Sequence, residues 1–274
     1  MFRRRPRPRR HPRITGLSIN RLIPNILTLL ALCAGLTSIR FALHAKWEHA
    51  VVAIVLAGIL DGLDGRVARL LQGTSKFGAE LDSLSDFVCF GVAPAMLLYL
   101  WTMQAAGGYG WALVLLFAVC CALRLARFNT MLGQPDLPPY AYNFFTGVPA
   151  PGAAGLVMVP MTLTFEFGPG IFDRPVVAAV FLVGVAFLMV SKIPTFSGKR
   201  VRVPHRWVLP VLLLVGLLAA CLVSDPWLTL SSIGLLYLAL IPLSIRSFRR
   251  LRQQAEAVGA EPEAVVGPDA AKKE

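Results

Sequence analysis

The sequence predicts an all-α, polytopic membrane bundle of eight transmembrane helices with both termini in the cytoplasm. Three observations carry this. Hydrophobic residues make up 56 % of the 274 positions and charged residues only 15 %, where a soluble domain usually carries about 25 % charged. The mean hydropathy is +0.64, and the apolar residues gather into stretches near the ~20 residues that a bilayer crossing needs. Finally, the basic residues fall on alternate sides of those stretches in a strongly unequal way.

The stretches lie at 22–43, 49–71, 84–104, 109–127, 147–167, 175–193, 207–224 and 228–245. With the N-terminus inside, only Arg40, Lys46 and Arg174 of the 27 Lys and Arg fall outside. The other 24 fall inside: eight arginines before the first span, the run Lys192, Lys199, Arg200, Arg202 and Arg206, and the cluster Arg246, Arg249, Arg250 and Arg252 among them. Removing one span would put half of these clusters on the wrong side.

The chain therefore divides into a basic cytoplasmic leader, 1–21, in which 16–21 are expected to begin a juxtamembrane helix, a membrane domain, 22–245, and a cytoplasmic tail, 246–274, expected to be mostly disordered from Gln253 on. A net charge of +12 raises nucleic acid as a partner. The Arg-rich leader lacks interleaved aromatics and a folded module, so no nucleic acid is expected; a topology signal that also touches anionic lipid fits it better. The five cysteines, Cys33, Cys89, Cys120, Cys121 and Cys221, all lie in apolar segments without paired metal-ligand spacing and read as small hydrophobes.

Chemistry concentrates in Asp61-Gly-Leu-Asp64-Gly-Arg-Val-Ala-Arg69 and Gly78-Ala-Glu-Leu-Asp82-Ser-Leu-Ser-Asp86. Asp61 and Asp64 are three apart, Asp82 and Asp86 four apart, so on helices each pair shares a face. A short connection, 72–80, makes the two helices antiparallel neighbours, and the four acids are expected to converge just inside the cytoplasmic boundary. Four carboxylates together repel one another, and burial at membrane depth is costly. One or two hard divalent cations, Mg²⁺, Mn²⁺ or Ca²⁺, would compensate them with oxygen-only ligands; a salt-bridge cluster with Arg66 and Arg69 is the alternative. Gly65, Ala68 and Gly78 keep the neighbouring faces free of bulk, so a nucleotide or phosphate can approach the backbone. The pattern is neither a phosphate-binding GxxxxGK[ST] loop nor a dinucleotide fingerprint.

The full spacing, Asp61-x2-Asp64-Gly65-x2-Ala68-Arg69-x8-Gly78-x3-Asp82-x3-Asp86, resembles the eight-position signature of the CDP-alcohol phosphatidyltransferases, with no departure. The resemblance implies a two-metal transfer of a phosphatidyl group from a CDP-linked lipid to an alcohol. It implies that Asp61, Asp64 and Asp82 are metal ligands, and that Asp86 is the general base, also near one metal. Gly65, Ala68, Arg69 and Gly78 are the implied nucleotide-binding positions. The early Pro24-Asn25-Ile-Leu-Thr28 is similar to the family's opening helix, whose polar face helps hold the nucleotide; Asn25 and Thr28 join that set. Asn25 read by itself is equally a helix-start residue.

Other segments bear on the acceptor. Arg124-Leu-Ala-Arg127-Phe-Asn129, Phe145-Thr-Gly-Val-Pro-Ala-Pro151 and Ser191-Lys-Ile-Pro-Thr-Phe-Ser-Gly-Lys199 resemble the phosphatidylserine synthase branch, which is similar in having eight spans. That branch implies CDP-diacylglycerol and L-serine as substrates, CMP as a product, a homodimer, and an active site on the cytoplasmic side of the cell inner membrane. Arg124 and Arg127 share a helical face, and an arginine fork suits a carboxylate or phosphate; with Asn129 they are the candidates for holding the acceptor. Glycerol 3-phosphate or an inositol phosphate is the alternative acceptor. A cation transporter is the alternative of a different class, but the acids gather at one boundary and form no line across the membrane.

Overall fold

The computed structural model describes residues 19–73, 75–131, 144–196, 204 and 207–259. It is a helical bundle: α1 (Ile19–Leu43), α2 (Trp47–Leu70), α3 (Lys76–Asp86), α4 (Ala93–Trp101), α5 (Gly107–Met131), α6 (Ala150–Val157), α7 (Val159–Phe167), α8 (Pro175–Val190), α9 (Val208–Ser224) and α10 (Pro226–Gly259). Between α3 and α4 the chain stays helical through one π-turn, Phe87–Val92, where the Ala93 N–H reaches back five residues to the Val88 carbonyl. A short 3₁₀ turn, Met103–Ala106, joins α4 to α5.

Five helical stretches among the described residues are long and apolar enough to cross a membrane: Leu22–Leu43, Lys76–Trp101, Met103–Thr130, Ala150–Phe167 and Pro226–Arg250. α8 and α9 are apolar but shorter, about 24–26 Å at 1.5 Å per residue. α2 has the length but carries Glu48, Asp61, Asp64, Arg66 and Arg69. The eight stretches read from hydropathy thus each contain helix, and five meet a length-and-composition criterion. α6 and α7 form one span broken at Met158, because Pro160 supplies no N–H to the preceding turn.

α1 and α2 make the most extensive helix pair, followed by α5 with α8. The α1–α2 reversal is closed by Lys46 N–H on the Phe41 carbonyl (3.0 Å) and Ala45 N–H on Ala42 (3.0 Å), with Ala45 at φ 54°. The end of α2 closes in the same way. Gly73 N–H reaches the Ala68 carbonyl (3.0 Å) and Gln72 N–H that of Arg69 (3.3 Å), with Gln72 at φ 50°. Both are Schellman ends with a non-glycine residue at the left-handed position.

The core runs through α2 (Ala50, Val51, Ile54, Ala57), the π-turn and α4 (Phe90, Ala93, Leu97, Leu98), α5 (Phe117, Cys121), α6 (Ala153, Leu156) and α8 (Leu182, Met189), all buried. Many of these are small, as close helix packing in lipid requires. The large exposed side chains are mostly Leu, Ile and Val, as a lipid-facing surface demands. α9 buries none of its side chains. All five cysteines are free.

Three features differ from the sequence reading. A two-stranded antiparallel ribbon, β1 (Phe144–Thr146) on β2 (Pro194–Phe196), pairs Phe144 with Phe196 and Thr146 with Pro194, a short addition that leaves the fold class all-α. α10 continues to Gly259, so the start of the stretch read as tail is helical; its Arg, Gln, Ala and Glu are good helix formers. The remainder, 260–274, and the leader 1–18 lie outside the described residues. Of the expected juxtamembrane helix, 19–21 are the first turn of α1.

Candidate active site

The site is built where α1 begins, α2 ends, α3 begins and α5 ends. α3 starts at Ser75, whose hydroxyl accepts the Gly78 N–H at 3.0 Å and caps the helix. α3 is held to α1 by the Ser85 hydroxyl donating to the Thr28 carbonyl (3.3 Å) and by the Cys89 thiol on the Ala31 carbonyl (3.3 Å). Gly35 makes this approach possible, since a Cβ there would lie 2.6 Å from Cys89 Sγ and 3.1 Å from its Cα.

This packing brings the acids together. One carboxylate oxygen from each of Asp61, Asp64 and Asp82 lies within 4.8 Å of the others. Ligands on opposite sides of an ion bound at 2.0–2.6 Å are about 4–5 Å apart, so the three oxygens can share one hard divalent cation. Asp64 is 4 % exposed, and its Oδ2 accepts the Thr28 hydroxyl at 2.6 Å. The Asp86 carboxyl adjoins that of Asp61. The charges acting on these four acids are their own and that of Arg124; Arg66 and Arg69 are not among them. Among the described residues no ion pair joins Arg66 or Arg69 to these acids, so the salt-bridge alternative is not formed; Arg69 lines the space beside them instead.

Beside the acids is a cavity of about 350 Å³ lined by Asn25, Thr28, Gly65, Ala68, Arg69 and Gly78, together with Asp64, Asp82, Gly73 and Ser75. All six residues named as nucleotide-binding line this one space. A Cβ on Gly65 would meet nothing within 4 Å, so the cavity reaches the helix backbone there. A Cβ on Gly78 would lie 2.9 Å from Asn25 Oδ1, so this glycine admits the Asn25 side chain.

The three acceptor candidates separate. Asn129 Nδ2 donates to the Ser83 hydroxyl at 2.9 Å, fastening the end of α5 to α3 beside Asp82. Arg127 Nη1 donates to the Val190 carbonyl at 2.8 Å and closes the C-terminus of α8. Arg124 is near both Asp86 and Tyr237 of α10, and its Nε is buried with no hydrogen-bond partner among the described residues. The other two segments that carried the branch resemblance meet in the ribbon. Gly147 N–H donates to the Ile193 carbonyl (2.8 Å), and the Thr195 hydroxyl donates to the Gly147 carbonyl (2.8 Å). Gly147 sits at φ 77°, and a Cβ there would lie 2.7 Å from the Met189 carbonyl. Residues 197–199 lie outside the described residues. Sequence reasoning missed Ser83 and Tyr237: one is a small hydroxyl among acids, the other a lone phenol in an apolar span.

A family model described as CDP-alcohol phosphatidyltransferase matches residues 21–191, and a second, CDP-alcohol phosphatidyltransferase 2, matches 206–242. The chain belongs to the CDP-alcohol phosphatidyltransferase family. It is 42 % identical over 253 residues to the CDP-diacylglycerol–serine O-phosphatidyltransferase of Mycobacterium leprae (strain TN), covering 92 % of this chain and 82 % of that protein. The protein of the same name from Mycobacterium tuberculosis (strain ATCC 25618 / H37Rv) is 40 % identical over 252 residues, 92 % of this chain and 86 % of the relative. That of Helicobacter pylori (strain ATCC 700392 / 26695) is 38 % identical over 219 residues, 79 % and 88 %. As a family member the chain is a membrane-embedded phosphatidyltransferase with an acidic cluster able to coordinate a divalent cation.

Proposed function

We propose that the chain transfers the phosphatidyl group of CDP-diacylglycerol to the hydroxyl of L-serine, giving phosphatidylserine and CMP. The observation that carries this is the cavity holding all six motif residues and opening on Asp64 and Asp82; the acceptor follows from the relatives that match nearly the whole chain. Asn25, Thr28, Gly65, Ala68, Arg69 and Gly78 hold the cytidine diphosphate part. Asp61, Asp64 and Asp82, with Asp86 beside them, would hold two divalent cations, Mg²⁺ or Mn²⁺. When bound, these would neutralise the pyrophosphate and stabilise the charge that develops on it.

The chain's own residues do the rest. Thr28 orients Asp64, and Asn129 with Ser83 fixes the end of α5 against α3. Asp86 takes the proton from the serine hydroxyl as its oxygen bonds to the β-phosphorus. The bond from that phosphorus to the bridging oxygen breaks, and CMP leaves with that oxygen. The acids lie at the end of the bundle where α1 begins, the side on which the charge pattern places the cytoplasm. Eight spans, both tails in the cytoplasm of an inner-membrane protein, contact of the basic leader with anionic lipid, and a homodimer complete the proposal.

The test is radiolabelled L-serine against radiolabelled glycerol 3-phosphate in membranes carrying the chain and supplied with CDP-diacylglycerol. Label is expected in lipid from serine; incorporation from glycerol 3-phosphate alone would refute the acceptor. Cysteine labelling of both tails is expected to report one side of the membrane, and cross-linking in detergent a dimer.

A further inference from the structure

We propose that Tyr237 of α10 positions the acceptor, its hydroxyl and the Arg124 guanidinium together binding the acceptor's carboxylate beside Asp86. This rests on transfer to L-serine as proposed above.

The observations concern residues near Asp86 that lie outside the nucleotide cavity. Asp64 adjoins Asp61, Asp61 contacts Asp86, Asp86 faces Arg124, and Arg124 faces Tyr237. Neither Tyr237 nor Arg124 lines the nucleotide cavity. Arg124 Nε and the Tyr237 hydroxyl are both buried, and neither reaches a hydrogen-bond partner among the described residues. Tyr237 lies against Thr195 without a bond of hydrogen-bond geometry between them, and the proton of Thr195 goes to the Gly147 carbonyl at 2.8 Å. The neighbouring arginine is committed elsewhere, since Arg127 Nη1 holds the Val190 carbonyl at 2.8 Å.

A buried donor without an acceptor is costly, and native structures rarely keep one without a reason. Here two such groups adjoin, one of them on a permanent cation. A carboxylate accepts from both at once, being acceptor-only with two oxygens. A carboxylate so placed belongs to a molecule whose hydroxyl must reach Asp86, which a short β-hydroxy amino acid satisfies. Thr195 of the β1–β2 ribbon lies against the phenol and is itself tied to the Gly147 turn.

The test compares wild type and Tyr237→Phe, full-length in lipid nanodiscs, with L-serine and with serinol, which keeps the hydroxyl and amine but lacks the carboxylate. Loss of one hydrogen bond to a charged group corresponds to about 10- to 100-fold. The KM for L-serine is expected to rise by that factor in Tyr237→Phe. The KM for CDP-diacylglycerol, and kcat at saturating serine, should stay within about threefold. kcat/KM for serinol should not change, so the serine-to-serinol ratio falls by the same factor. Arg124→Lys, which keeps the charge and loses the Nε–H, is expected to lower that ratio too and serves as the second variant. An unchanged serine KM in Tyr237→Phe overturns the assignment. So does an equal loss with both acceptors, the mark of a merely structural role. A wild-type chain that uses no serine overturns the function proposed above and this assignment with it.

Discussion

Replacing Thr28 by Val removes one hydroxyl and little else, because the two side chains share shape and β-branching. That hydroxyl donates to Asp64 Oδ2 at 2.6 Å, and both residues are buried, at 5 % and 4 % exposure. A hydrogen bond to a charged group contributes about 1.5–3 kcal/mol, and about 1.4 kcal/mol is a factor of ten. The partner of a metal-binding carboxylate acts by fixing which way its oxygens face. The variant is therefore expected to need about 10- to 100-fold more Mn²⁺ for half-maximal CMP release. The kcat at saturating Mn²⁺ should fall much less, since Asp86 is untouched. Thr28→Ser, which restores the donor, is expected to recover most of the loss. The assay is CMP release in detergent against Mn²⁺ concentration, paired with direct Mn²⁺ binding by electron paramagnetic resonance. Unchanged Mn²⁺ dependence in a folded Thr28→Val protein would refute the reasoning, because Asp64 would then need no orienting partner.

Asp61→Asn, Asp64→Asn and Asp82→Asn should each nearly abolish transfer at saturating Mg²⁺ or Mn²⁺, and EDTA should do so reversibly; near-normal rates in all three would sink the shared cation site. Asp86→Asn should lower kcat by about 10²–10⁴-fold while CDP-diacylglycerol Kd changes less, measured side by side with Asp82→Asn. Gly78→Ala places a Cβ 2.9 Å from Asn25 Oδ1 and should weaken CDP-diacylglycerol binding by about 10- to 100-fold, with little change in melting temperature because a side-chain end can yield. Gln72→Gly relieves a left-handed residue at φ 50° and should stabilise the chain by about 1 kcal/mol, read as a higher melting temperature with unaltered transfer.

The acidic site was legible because helical spacing alone aligns Asp61 with Asp64 and Asp82 with Asp86, and because a short connection leaves the two helices little choice but to pair. The small residues among them marked the cavity wall for the same reason. Other features left no local trace. Arg124 and Arg127 share a helical face, and only the packing of α5 against α8 decides that one caps a carbonyl while the other stays beside Asp86. β1 and β2 have three residues each, too few to show alternation, and their pairing joins segments distant in sequence. Tyr237 reads as one more aromatic in an apolar span until the fold sets it next to Arg124.

The π-turn after Asp86 works as a phase adjuster. α3 must aim Asp82 and Asp86 at the acids of α2, while α4 must aim Leu97 and Leu98 into the core, and both belong to one unbroken rod. In a regular α-helix each residue advances the rod by about 100°, so those two directions are locked together by counting alone. The wider turn at Phe87–Val92 takes up one extra residue and resets the angle between the two halves. Winding Phe87–Val92 as regular α-helix with no residue removed would leave every carboxylate and every core side chain in the chain, yet would turn one set or the other away from its partners by about a quarter of a revolution; removing one residue at the same point would cancel that turn.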